Sequence, residues 1–293
     1  MSRRHGAHHT PSRHQRPKHL LVRVAHRSWR VMTACLRAIY KAPPTIQVWS
    51  TVAILITAAL TTNWIYHAYY KPTELFFPVE PAFHKSPRET WEEYGALFEV
   101  HSTAIITPEL LAALAQAEGS GNPVARTYWK WRPTSQNPLK WYQPASSAVG
   151  MFQITDGTFQ EAKRYCIHNH VVVEQGPWNN FNSCWFNSLY SRVIPGHAME
   201  MTSALLDRYV TRLVADRETT FEQKQELAAV IHLCGAGAGR TYVARNYRLT
   251  PHQHCGAHDL RNYLMKISAL KQQFASLKER SRPDSEYRTD RGM

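Results

Sequence analysis

No acidic residue occurs before Glu74, although residues 1–43 alone carry ten Lys or Arg. Beyond residue 43 the count is 25 basic to 22 acidic, so the net charge of +13 belongs to a tail rather than to the body. An acid-free, Arg-rich and His-rich tail fits either nucleic-acid binding or an organelle transit peptide. The next segment excludes both. Ile46–Tyr66, IQVWSTVAILITAALTTNWIY, holds no charge and has Trp near both ends. At 1.5 Å per residue it spans roughly 30 Å, the hydrocarbon thickness of a bilayer. The flanking Tyr69, Tyr70 and Lys71 suit the membrane–water interface. The long preceding region and the lack of a clear small-x-small site argue against a cleaved signal peptide. The positive-inside rule places residues 1–43 in the cytoplasm and the rest outside. Membrane orientation thus explains the basic tail, and no nucleic-acid partner is expected.

Cysteine is scarce, with five in 293 residues. Cys35 falls on the cytoplasmic side, while Cys166, Cys184, Cys234 and Cys255 fall on the far side. An even number in an oxidising compartment predicts two disulfides. Three connectivities are open, of which Cys166–Cys184 with Cys234–Cys255 is the most local. His252, His254, Cys255 and His258 match no zinc-ligand spacing, so neither metal nor cofactor is expected.

The chain also lacks strand-like alternation and internal repeats. Pro72–Pro87 is a Pro-rich linker. After it, helical periodicity returns in Trp91–Phe98, in Ala198–Ala215, in Phe221–Cys234 and in roughly Ala257–Lys278. Thr155 or Asp156 can cap a further helix running to about Cys166. Residues 167–195 read as irregular, and the tail after Glu279 as charged and disordered. Gly235-Ala-Gly237-Ala-Gly239 fails as a nucleotide fingerprint, because a helix and not a strand precedes it and Arg240 stands where the third glycine belongs. It reads as a glycine turn between helices.

The informative stretch is Leu110–Pro123, LLAALAQAEGSGNP. Thr107 can cap the helix, Pro108 suits its first position and Glu109 its first turn. Leu111, Leu114 and Ala117 recur at helical spacing, and Glu118 follows on or beside that stripe. Gly119, Gly121 and Pro123 then stop the helix. A carboxyl is left half out of water at a helix end, where desolvation favours the protonated form that a general acid needs. Val124–Ser146 brings Tyr128, Trp129, Trp131, Trp141 and Tyr142 with three prolines and no period. It reads as a loop whose flat rings could stack on sugar, or as a hydrophobic cluster pinning the loop.

Four pieces stand in order: ITPELLAALAQAEGSGNP, SSAVGMFQITDGTF, LAAVIHLCGAGAGRTYV and DLRNYL. Together they resemble the transglycosylase SLT family, the soluble-lytic-transglycosylase domain of goose-type-lysozyme-like fold, over roughly Trp91–Leu277. Glu118–Pro123 resembles the motif E-S-x-x-x-P, with Gly119 in place of serine. Gly150-Met151-Phe152-Gln153 resembles G-L-M-Q. The run from Ile231 to Gly237 resembles A-Y-N-x-G-x-G, with His232 where the family has its active-site tyrosine. The run from Asp259 to Leu264 resembles E-T-R-N-Y-V. The family serine before the G-L-M-Q turn falls near Pro144, leaving Ser146 and Ser147 to substitute. Glu118 and Gln153 lie 35 residues apart, beyond the family spacing, so Val124–Ser146 is an insertion expected to reshape a glycan groove.

The resemblance implies an all-α, lysozyme-like domain over residues 91–279, to which the apolar run adds one N-terminal transmembrane helix at 44–68 and a linker at 69–90. It implies Glu118 as catalytic acid and then base, with Gln153, Ser147, His232, Asp259 and Tyr263 binding substrate. His232 could bond the sugar or the acid, or be satisfied by backbone. The implied activity is a peptidoglycan lytic transglycosylase at a bacterial inner membrane, facing the periplasm. Alternatives are a hydrolytic muramidase, or a non-catalytic glycan-binding part of a secretion or envelope machine.

Overall fold

A computed structural model describes residues 29–30, 33–34, 37–177, 179–180 and 182–281. Most of the basic tail, Cys35 and residues 282–293 of the expected C-terminal tail lie outside the described residues. The chain divides into two units, residues 1–63 and 64–293.

The first unit is dominated by helix α1, Pro44–Tyr70, whose last turns belong to the second unit. It is long and apolar enough to cross a membrane. Its threonines are compatible with an apolar setting because Thr51 and Thr57 each donate to the carbonyl four residues back, at 2.8 Å. Gln47, the polar residue near its start, folds its amide back onto the Tyr40 and Ala42 carbonyls. Internal bonding of this kind lowers the cost of polar side chains in lipid.

The second unit is mostly helical. Helix α2, Pro87–Val100, starts with a Ser86–Glu89 capping box and buries Trp91, Tyr94 and Phe98. Helix α3, Pro108–Gly119, starts at Thr107, whose hydroxyl accepts from the Leu110 N–H. Helix α4, Asp156–Ala162, starts at Thr155. Helices α5, Pro195–Leu213, α6, Phe221–Ala244, and α7, Leu260–Ser281, complete the set. α3 is the centre: Leu110 through Ala115 are fully buried, all round the helix, because α2 and α7 pack on it. A stripe was expected; the enclosure reflects how many neighbours one short helix has.

The body is mostly helical but not purely so, and the all-α expectation is met in part. Among the described residues three two-stranded antiparallel hairpins occur: β1 Trp129–Trp131 with β2 Tyr142–Pro144, β3 Tyr165–His168 with β4 Val171–Glu174, and β5 His254–Cys255 with β6 His258–Asp259. In the second, Asn169 and His170 both take positive φ, 51° and 64°, as a two-residue type I′ turn requires. Val171–Val173 then supplies the β-branched run. α4 therefore ends at Ala162, short of Cys166, which sits in β3. Cys166–Cys184 and Cys234–Cys255 stand at disulfide distance, with Cα atoms 5.4 and 5.3 Å apart. Gly235, at φ 82° and ψ 168°, breaks α6 into two helical stretches, and the second runs on to Ala244.

Candidate active site

Glu118 occupies the last turn of α3 and is half-buried. Ser120 follows in the left-handed region and closes the helix, its N–H reaching the Ala115 and Gln116 carbonyls. Gly119 has a steric reason to be glycine. A Cβ there would lie 2.7 Å from the Met151 Cα and 2.9 Å from its carbonyl oxygen. The helix end thus rests directly on the Gly150–Gln153 turn, and the serine of the family motif does not fit.

Tyr263, from the first turns of α7, donates its hydroxyl to Glu118 Oε1 at 2.7 Å. Burial, followed by the charge of Glu118 and this bond, pushes the phenol well above its ordinary value. Tyr263 is therefore a permanent donor. One carboxylate oxygen, Oε1, is held by this bond.

His232 lies on α6, three residues before the Gly235 break, with its ring edge-on to Phe152 at 6.4 Å. Burial lowers its pKa, opposed by the charge of Glu118 and a hydrogen bond to the Phe152 backbone. The imidazole is neutral at pH 7. Of the alternatives open to it, the ring takes the backbone bond, to Phe152, and feels Glu118 through its charge alone.

Two cavities of about 370 Å³ each lie at these groups. One is lined by Glu118, Tyr263, Asp259, Asn262, His254 and His258. The other is lined by Gln153, His232, Thr155, Glu161, Leu205 and Tyr209. Burial and a hydrogen bond to Glu161 push the Tyr209 phenol up to about 12.

Of the expected substrate-binding residues, Tyr263 and Asp259 share a cavity with Glu118, and Gln153 and His232 share the second. Gln153 spends both amide hydrogens on the Gly150 and Ala125 carbonyls, at 2.9 and 3.2 Å. Asp259 accepts the Asn262 N–H at 2.9 Å, at the start of α7. Ser147 lines neither cavity: its hydroxyl accepts from the Asp156 N–H and its carbonyl from Arg192. Asp156 itself pairs with Arg192 at 2.9 Å. Sequence reasoning missed His254, His258, Asn262 and Glu161. The two histidines were visible only as a failed metal pattern, and Cys255 between them is taken by Cys234.

The aromatic insertion is also placed differently from expectation. β1 and β2 line neither cavity. Trp129 donates to Glu74 Oε2 at 2.7 Å, and the Leu139 carbonyl meets His67 Nε2 at 2.8 Å. The hairpin is thus built onto residues 67–74 and not onto the Glu118 site.

No family model, curated protein or solved structure matches the chain.

Proposed function

We propose that the chain is a membrane-anchored peptidoglycan lytic transglycosylase, with Glu118 as its single acid and base. The observation that carries this reading is the Tyr263–Glu118 bond at a helix end opening on a cavity. The motif resemblance supplies the substrate. Glu118 Oε2 gives its proton to the glycosidic oxygen leaving the muramyl C1, and the C1–O bond breaks. The C6 hydroxyl of the same ring then attacks C1 and returns its proton to Glu118, closing a 1,6-anhydro bond. No water is consumed, and the intramolecular hydroxyl has the proximity that a free water lacks. Tyr263 supports the carboxylate between these two transfers through its hydroxyl. α1 would anchor the domain, with the body outside the inner membrane.

Purified sacculi test the reading. The full chain is expected to release anhydromuropeptides, and Glu118→Gln to release none while melting as the parent does. Reducing-end products heavier by one water would make it a muramidase. Binding without release by the parent would make it a glycan-binding component of an envelope machine.

A further inference from the structure

The β1–β2 hairpin is exposed where its chemistry is most unusual. Tyr128, Trp131 and Trp141 are 69%, 67% and 43% exposed. No acidic residue occurs between Glu118 and Asp156, yet Arg126, Lys130, Arg132 and Lys140 all do. Arg126 pairs with buried Glu74. Arg132 and Lys140 are exposed and have no acidic partner among the described residues. The hairpin's exposed aromatic and cationic side chains thus come from one acid-free stretch of the chain.

The hairpin's footing identifies what these side chains meet. Besides Glu74 and His67, it is tied to Lys71, whose ammonium donates to Thr127 Oγ1 and the Ser146 carbonyl. These residues lie at the end of α1 or directly after it, where Tyr69, Tyr70, Leu75 and Phe77 are also exposed. Amphipathic rings belong at the headgroup level of a bilayer. Unpaired Lys and Arg are drawn to anionic lipid, each contributing about 1 kcal/mol.

We propose that the β1–β2 hairpin is a lipid-docking element that seats Trp131, Trp141, Arg132 and Lys140 in the headgroup layer of an anionic phospholipid bilayer. The proposal rests on α1 being a membrane anchor. It assigns the insertion to membrane contact and away from sugar stacking.

The full chain, reconstituted in phosphatidylcholine vesicles with or without phosphatidylglycerol, tests this by emission quenching with lipids brominated near the headgroup. Subtracting Trp131→Phe from the parent isolates Trp131, and Trp49→Phe isolates a tryptophan of α1. Both exchanges keep an aromatic ring. Trp131 emission is expected to be quenched, more strongly with phosphatidylglycerol. Arg132→Gln and Lys140→Gln should each shift the docked-to-free ratio by roughly fivefold in anionic vesicles and leave it unchanged in neutral ones. Quenching of Trp49 but not Trp131 overturns the docking and spares the anchor. Quenching of neither overturns both. A Trp131 spectrum unmoved by lipid but shifted by soluble glycan fragments overturns docking in favour of sugar stacking.

Discussion

Tyr263→Phe removes one oxygen atom and leaves the ring, which is 7% exposed, packed as before. The lost group is the donor 2.7 Å from Glu118 Oε1. A hydrogen bond to a charged group is worth about 1.5–3 kcal/mol. If Glu118 is ionised between the two proton transfers, that bond is strongest near the transition states, and its loss falls on the chemical step. At 1.4 kcal/mol per decade the expected fall in kcat is roughly 10- to 100-fold, with KM little changed. Release of soluble muropeptides from sacculi at saturating and limiting substrate separates the two parameters, and a thermal melt checks the fold. A kcat within about twofold of the parent, or a fall confined to KM, would refute the assignment of Tyr263 as the acid's partner.

Gly119→Ser, which restores the family motif, is expected to damage this chain: pressing a Cβ into the Met151 backbone should cost about 1–3 kcal/mol. For a body of this size the melting temperature falls roughly 2–4 °C per kcal/mol, and an unchanged melt would refute the close approach. His232 and His101 both have lowered pKa values, chiefly from burial. The unfolded chain takes up their protons first, so stability should fall as pH drops below the ordinary histidine value of 6.5. Melting curves should show that fall, with a shallower slope in His232→Gln; an equal slope would refute it. Asp259→Asn keeps an N-cap for α7 and should leave anhydromuropeptide release within about threefold, whereas a loss near the 10²-fold expected of a missing base would give Asp259 a second carboxylate's role.

The helices were legible because their signals are local. Thr107, Pro108 and the apolar recurrence after them set the start of α3, and Gly119 with its neighbours set its end. The hairpins were not legible, since β3 and β4 join through Asn169 and His170, a turn without glycine. Residues 167–195 therefore looked irregular although Val171–Val173 is a plain β-branched run. In the site, Glu118 could be found from a helix that stops at a carboxylate. Its partner could not, because Tyr263 arrives from 145 residues away and only the packing of α7 on α3 brings the two together. Motif resemblance put Tyr263 among substrate-binding residues without showing that its hydroxyl meets the acid. The insertion was misplaced for a related reason: aromatic composition says that rings seek a surface, but not which one. The bonds to His67, Lys71 and Glu74 decide that.

The number of working carboxylates separates a transglycosylase from an ordinary glycosidase, which needs two. Asp259 lies in the cavity of Glu118, but one of its oxygens is committed to the first turn of α7. Glu161 lines the other cavity, beside Tyr209. Asp156 is turned to Arg192. Glu118 has the Tyr263 phenol bonded to one oxygen and lies close enough to His232 for its charge to act on that imidazole. That environment suits a group that must give a proton and take it back. On the proposed reading the phenol reaches Glu118 from α7, and position 232 on α6 carries a ring that burial biases toward its neutral form. The departure at Gly119 follows from the same compactness, since the helix end that carries the acid has no room for a side chain against the Met151 backbone.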